Sequence, residues 1–152
     1  MGVRDRLAEL GLDLPEAPAA VASYVPVVVS GGLAFVAGQV PMVDGQVLHP
    51  GRVGEDVTVE EAAEAARWCA VQALAALDQA LGDVDRVRRV VQVGVFVASA
   101  PGFTDQPSVA NGASDLLVQV FGDAGRHARF TVGVSELPLG ASVEVAVTVE
   151  VV

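Results

Sequence analysis

The sequence predicts an α+β domain in which a mainly antiparallel sheet packs against two helices on one of its faces. Valine-rich runs alternate with the period of two that is typical of β-strands. Two long segments instead carry apolar residues at steps of three and four, as helices do. The segments follow one another in the order β-β-(β)-α-β-α-β-β, and this order favours an α+β fold. At 152 residues, the chain is long enough for one domain with a sizeable core.

The N-terminal residues predict a short helix that precedes this domain. Val3, Leu7 and Leu10 share one face of that helix, which should end at Gly11. The stretch Leu12–Ala22 predicts a linker. We therefore expect residues 1–22 to form a short helix and linker, and residues 23–152 to form a single domain.

A β-hairpin is predicted at the start of the domain. Tyr24–Ser30 and Leu33–Ala37 are rich in β-forming residues, and Gly31-Gly32 between them tolerates the positive φ angles of a tight turn. A short strand is expected around Gln46–Leu48.

Both long helices have clear end signals. Thr58-Val59-Glu60-Glu61 is a capping box, and Gly82 marks the end of the helix that it starts. The second helix has Pro107 in its first turn and ends at Gly122. The later strands are predicted at Arg88–Ala98, Arg129–Ser135 and Ser142–Val152.

The sheet is expected to be apolar on both faces, although two helices can cover only one. The side chains behind this expectation are Val27, Val29, Val90, Phe96, Val132 and Val134. An uncovered apolar face is typical of a subunit interface, so we expect a homo-oligomer.

Composition excludes several classes of function. All nine basic residues are arginine, so an internal Schiff base and a P-loop lysine are excluded. The net charge of −10 disfavours nucleic acid as a partner. The single Cys69, the lack of an apolar signal sequence and the lack of a membrane-length apolar stretch predict a cytoplasmic protein without a membrane partner. His49, His127 and Cys69 match no zinc-ligand spacing, and no metal or cofactor is expected.

A few polar residues in apolar surroundings are candidates for a site. Arg129 opens an apolar strand, where a guanidinium can bind a carboxylate in bidentate fashion, although composition alone favours a surface arginine paired with an Asp or Glu in a chain this acidic. Glu144 lies on the non-valine face of the last strand, and this pattern alone favours a solvated charge. Cys69 is interpreted as a buried structural residue. His127 is interpreted as a loop or packing residue, with lining of a site as the alternative.

Several stretches between Tyr24 and Val149 match one family in order. They are the hairpin end Phe35–Pro41, the helix Thr58–Gly82, Asn111, Ala128–Pro138 and Val143-Glu144-Val145. The most specific is Arg-x-x-Val-Gly-Val-x-x-Leu-Pro followed by Val-Glu-Val. The chain therefore resembles the Rid family, also called the YjgF family, of reactive-intermediate enamine and imine deaminases.

The resemblance implies a chorismate-mutase-like fold, assembly as a homotrimer and active sites in clefts between subunits. It implies that Arg129 grips the substrate carboxylate and that Glu144 positions or activates water. It also assigns pocket positions to Tyr24, Gly38, Asn111 and Thr131. On this basis Arg129 and Glu144 should meet in one intersubunit cleft.

The implied reaction is hydrolysis of 2-imino or 2-enamino acids, such as 2-aminoacrylate, to a 2-keto acid and ammonia. The partner would be a small carboxylate-bearing substrate, and no cofactor is needed because the substrate brings its own electrophilic C=N bond. The chain departs from the family at Ala37, often serine, and at Phe130, commonly serine or threonine. These departures motivate a trimeric binding module without hydrolysis as the alternative. An endoribonuclease, a label that some family members bear, is disfavoured by the acidic charge.

Overall fold

The computed structural model describes residues 1–19 and 22–152. The predicted linker Leu12–Ala22 includes residues 20 and 21, which lie outside the described residues. The elements are α1 (Val3–Glu9), β1 (Val27–Ser30), β2 (Leu33–Gln39), β3 (Met42–Val43), β4 (Gln46–Val47), α2 (Val59–Leu81), β5 (Val87–Ala98), α3 (Gln106–Phe121), β6 (Ala128–Val134) and β7 (Val143–Val151).

Five strands form one sheet in the order β1-β2-β7-β5-β6, while β3 and β4 form a separate two-stranded ribbon. Every neighbouring pair in the large sheet is antiparallel except β5 and β6, which are parallel. The α+β prediction is confirmed, and the sheet is mixed. The parallel pair arises because β5 and β6 are joined through α3, and a crossover helix returns the chain to the same end of the sheet.

The predicted end signals of α2 are present in the structure. The Glu61 backbone N–H donates to Thr58 Oγ1 at 3.1 Å, and the Thr58 N–H donates to Glu61 Oε1 at 3.0 Å. Gly82 ends the helix in a left-handed conformation with φ of 80°. The hairpin turn likewise has Gly31 and Gly32 at φ of 60° and 80°.

The core lies between the sheet and the helices α2 and α3. The alternate valines of β7 are fully or almost fully buried there, as are the inward residues of β5 and the apolar stripes of both helices. The two helices cross very closely, because a Cβ on Gly112 would overlap the backbone carbonyl of Ala63. This contact fixes the position of α3 along α2. Val3 and Leu7 of α1 join the same core.

The first strand is shorter than predicted. It begins at Val27 rather than Tyr24. Pro26, which precedes it, has no amide to contribute to a strand ladder. Tyr24 consequently lies outside the sheet, with 54% of its surface exposed.

The face of the sheet that points away from the helices, the outer face, is apolar as expected. Only three of the six residues predicted to form it lie there. Directly paired residues share a face. Val27, Val29 and Val90 pair with buried residues on the helix side, whereas Phe96, Val132 and Val134 lie on the outer face. Phe35 and Phe130 complete that face and are 45% and 42% exposed. The outer face therefore carries an exposed apolar surface.

In the described part of the chain, none of the helices has both the length and the apolar character needed to cross a bilayer.

Candidate functional site

Arg129 is anchored to α3 by two hydrogen bonds. It is the second residue of β6, and its side chain lies on the helix side of the sheet. Arg129 Nη1 donates to Asn111 Oδ1 at 2.8 Å and to Ser114 Oγ at 3.2 Å. Asn111 and Ser114 are three residues apart and so lie on one face of α3. One edge of the guanidinium is thereby held, while its Nε and Nη2 groups form no hydrogen bond with described residues.

A short polar chain continues from Ser114. Its Oγ lies 2.9 Å from His127 Nε2, and His127 Nδ1 lies 2.6 Å from the Gly125 carbonyl oxygen. Ser114, His127 and Arg129 line a shallow cavity of about 250 Å³ together with Asp115, Val118 and Arg126. Solvent, or a small ligand, can thus approach this group of polar side chains.

Thr131 follows Arg129 on the same face of β6, opposite Val95. Its hydroxyl is buried and forms no hydrogen bond to any residue that the structure describes. Buried polar groups without a partner are uncommon in folded proteins. Thr131 therefore has unused hydrogen-bonding capacity beside the arginine.

Glu144 lies on the outer face of β7 and leans over Gly38. A Cβ on Gly38 would lie 3.0 Å from Glu144 Cδ, so the glycine is what allows this close approach. Burial raises the pKa of Glu144, because removal from water disfavours the charged carboxylate. A carboxylate whose pKa is raised is a stronger base than an ordinary glutamate.

Tyr24 belongs to the same end of the sheet as Gly38. The backbone N–H of Ala37 donates to the Pro26 carbonyl at 2.8 Å, which brings the segment before β1 alongside the end of β2. The three residues Tyr24, Gly38 and Glu144 thus lie on the β1-β2-β7 side of the sheet.

The six predicted site residues therefore form two separate groups within one chain. Arg129, Asn111 and Thr131 lie at the β6 edge on the helix side; we call this group the arginine half-site. Tyr24, Gly38 and Glu144 form the other group, the glutamate half-site. Strands β7 and β6 are separated by β5, a distance of about 10 Å across the sheet. Arg129 and Glu144 also face opposite sides of the sheet, so they do not meet within one chain.

Other candidates offer little chemistry. Cys69 is fully buried. Burial, and to a smaller extent the charge of Glu144, raises the pKa of its thiol well above the ordinary value. Within residues 1–19 and 22–152, no three His, Cys, Asp or Glu side chains are grouped to hold a metal ion. A larger cleft, of about 460 Å³, contains none of the six predicted residues. Its Arg52 already donates to the Ser135 carbonyl at 3.1 Å and to Glu136 at 3.4 Å.

Comparison with known proteins identifies the family. Residues 4–151 match the family described as "YjgF/chorismate_mutase-like, putative endoribonuclease". The chain belongs to the YjgF family, also called the Rid family. It is 50% identical over 149 residues to Protein TCP17 of Trypanosoma cruzi, covering 97% of this chain and 93% of that protein.

Two solved structures are similar to this YjgF-family chain over almost its whole length. Atu1372 from Agrobacterium tumefaciens, a protein of unknown function, is 48% identical, with a TM-score of 0.93 and coverage of 99% of this chain and 92% of its own. A "putative endoribonuclease" from Shewanella oneidensis MR-1 is 33% identical, with a TM-score of 0.95 and coverage of 99% and 100%.

Sequence reasoning missed two groups of residues that support the half-sites of this YjgF-family member. The sequence pattern does not single out Ser114, and it predicts a loop or packing residue at His127, with lining of a site as the alternative. On the other side, the buried Gln72 accepts from the Met42 N–H at 2.6 Å and donates to the Val40 carbonyl at 2.9 Å. Trp68 Nε1 donates to the Met42 carbonyl at 2.7 Å. The available signal is a glutamine three residues after Cys69 and four before Ala76, on the apolar side of α2.

The two departures from the YjgF-family pattern lie away from Arg129. The Phe130 ring points to the outer face, where it covers Gly94 and meets Phe96 edge-on at 5.7 Å. Ala37 lies beside Gly38 in β2, at the glutamate half-site. Neither side chain alters the contacts that hold the guanidinium.

Proposed function

We propose that this protein is a cytoplasmic homotrimeric deaminase that hydrolyses 2-imino and 2-enamino acids of the 2-aminoacrylate type to 2-keto acids and ammonia. The observation that carries the proposal is the held guanidinium. Asn111 and Ser114 occupy one edge of Arg129, and the remaining edge matches the two oxygens of a carboxylate. The substrate would be gripped by its carboxylate beside the unpartnered Thr131 hydroxyl.

The chemistry requires only binding and proton transfer. A 2-enamino acid first tautomerises to the 2-imino acid. Water adds to the electrophilic imine carbon to give a carbinolamine, the nitrogen takes up the proton that the water loses, and the C–N bond then breaks to give the keto acid and ammonia. Glu144 would orient the water, accept its proton and pass it to the leaving nitrogen, since burial raises the pKa of Glu144 and makes its carboxylate a stronger base. Arg129 would also stabilise negative charge near the reacting centre.

Self-association would join the two half-sites. The outer face exposes about half of the surface of Val28, Phe35, Phe130 and Val132. An exposed apolar surface of this kind is typical of an interface. In a cyclic assembly, each contact brings different surfaces of two neighbours together. The arginine half-site of one subunit would then lie against the glutamate half-site of the next.

The direct test is turnover of an imine generated in situ by an amino-acid oxidase, followed through keto-acid release. Arg129→Ala would remove about two charge-assisted hydrogen bonds of about 1.5–3 kcal/mol each, a loss of about 10²- to 10⁴-fold in kcat/KM. Arg67→Ala is the matched control, because Arg67 is partly exposed and also donates to a side chain of α3, that of Gln119. Wild-type turnover no faster than buffer, or equal rates for both variants, would refute the deaminase.

Mixing two inactive variants tests the shared site. Arg129→Ala subunits keep the glutamate half-site, and Glu144→Gln subunits keep the arginine half-site. After dissociation and random reassembly, three quarters of cyclic trimers are mixed, and each has one intact interface in three. About a quarter of wild-type activity should therefore return. If each site lay within one chain, no activity would return.

Two other functions are distinguished by the same protein samples. A binding module without hydrolysis, motivated by Ala37 and Phe130, would bind a carboxylate through Arg129 but release no keto acid. An endoribonuclease would cleave RNA in a salt-dependent manner. The net charge of −10 and the absence of lysine argue against the endoribonuclease.

A further inference from the structure

The hydrogen bonds beyond Arg129 run in one direction. The Gly125 carbonyl can only accept, so His127 Nδ1 carries the proton of the 2.6 Å bond between them. In the neutral imidazole, Nε2 is then an acceptor, and the Ser114 hydroxyl must donate to it. This leaves the Ser114 lone pairs to accept from Arg129 Nη1.

Local packing fixes both ends of this chain. Gly125 is buried, and a Cβ there would overlap the Leu117 carbonyl of α3, so its backbone is pressed against that helix. Ser114 lies on the same helix, one turn after Asn111. His127 directly precedes β6 and stands two residues from Arg129. The histidine therefore ties the start of β6 to α3 at the point where the arginine emerges.

We propose that Ser114 and His127 are positioning residues for Arg129. They orient one Nη group so that the opposite edge of the guanidinium is presented to the substrate carboxylate. Asn111 alone supplies one acceptor, which leaves the guanidinium able to swing about that bond. A second acceptor on the same nitrogen removes this freedom before the substrate arrives. The role deepens the proposed function and rests on it only for the identity of the ligand.

The Ser–His pair also resembles a nucleophile with its base, but the geometry favours positioning. The Ser114 oxygen is engaged by Arg129 at 3.2 Å, and it lies within a helix rather than on an exposed turn. A serine nucleophile also needs preorganised donors for an oxyanion. The donor beside Ser114 is Arg129 Nη1, which already donates to Asn111 and to Ser114 itself and so is not free to bind an oxyanion.

The test compares Ser114→Ala with Ser114→Thr, which retains the hydroxyl. Ser108→Ala is the matched control, because Ser108 lies on the same helix and bonds to Asp105 instead. In the ligand-free protein, nitrogen NMR of the Arg129 guanidinium should show faster rotation in Ser114→Ala only. KM should rise about five- to tenfold in Ser114→Ala, the equivalent of one ordinary hydrogen bond, with kcat nearly unchanged. Ser114→Thr should restore both values.

His127 provides an independent arm. The imidazole should carry its proton on Nδ1, and His127→Phe should reproduce the Ser114→Ala effects. Arg129 resonances unchanged by both substitutions would overturn the proposal, as would covalent labelling of Ser114 by a fluorophosphonate. Altered Arg129 dynamics and weaker pyruvate binding, in a protein that releases no keto acid, would uphold positioning while refuting deamination.

Discussion

The buried amide of Gln72 should be the most sensitive of the polar groups that support the glutamate half-site. Gln72 is 1% exposed and bonds to the Met42 N–H, the Val40 carbonyl and the Gln39 side chain at 2.6, 2.9 and 3.2 Å. These bonds hold the segment directly after Gly38 against α2. Gln72→Leu keeps the side-chain volume but leaves two backbone groups without partners.

The expected cost follows from those two groups. An unsatisfied buried backbone group costs about 1–3 kcal/mol, and since this segment is partly buried we expect about 3 kcal/mol in total. In a domain of this size, that lowers Tm by about 6–12 °C. The same change should reduce kcat/KM, because Gly38 and Glu144 lose their alignment.

Thermal unfolding followed by circular dichroism measures the effect. Gln79→Leu, at an exposed position of the same helix, is the control for the change in helix propensity and should leave Tm within about 2 °C of wild type. Equal Tm values for the two variants would refute the view that this amide holds the half-site.

Three further changes address the same half-site and the assembly. Because burial raises the pKa of Glu144, the folded chain binds its proton more tightly than the unfolded chain, and the ionised form costs stability above that pKa. Glu144→Gln should therefore raise Tm at neutral pH, lose this advantage as pH falls below the ordinary glutamate range, and abolish deamination. Gly38→Ala should displace the Glu144 carboxylate, since the new Cβ would stand 3.0 Å from Glu144 Cδ. Steady-state kinetics should then show a lower kcat and a smaller change in KM. Phe35→Asp places a charge on the outer face and should yield monomers in sedimentation analysis; trimers that persist would contradict the interface.

Local signals in the sequence were sufficient for most of the secondary structure. The Thr58 capping box and the Gly31-Gly32 turn act within a few residues, so the elements that they delimit could be predicted closely. The start of β1 was wrong because the effect of Pro26 on the ladder was not considered. The parallel pairing of β5 with β6 depends on where α3 crosses, which no local pattern encodes.

The candidate site was harder to predict because its contacts join distant segments. Periodicity indicated that Glu144 faces away from the valines of β7, and the structure agrees. Periodicity within a strand does not show which faces of β6 and β7 lie on the same side of the sheet. It therefore could not predict that Arg129 and Glu144 lie on opposite sides within one chain. The contacts of Ser114 and His127 form only because β6 lies beside α3. Those of Gln72 form only because α2 covers the segment after Gly38.

The placement of Phe130 suggests what its departure from the family pattern does. Phe96 pairs directly with Glu144, and the Phe130 ring packs edge-on against Phe96. The Phe130 ring, in place of a hydroxyl, adds apolar surface to the outer face around Phe96, the residue that pairs with Glu144, and desolvation is the cause of the raised pKa of Glu144. Phe130 would then tune the proton acceptor rather than the carboxylate grip.

Phe130→Ser tests this reasoning through the pH dependence of kcat/KM. Less apolar cover should lower the pKa of Glu144, and since the ionised carboxylate is the active form, the acidic limb of the profile should move to lower pH. Val28→Ser, on the outer face of β1, removes apolar surface at a distance from Glu144 and should leave the limb in place. The position of the limb does not depend on the amount of assembled protein, so a weakened trimer would reduce the signal without moving it. A limb that stays at the wild-type pH in Phe130→Ser would mean that the ring serves assembly alone.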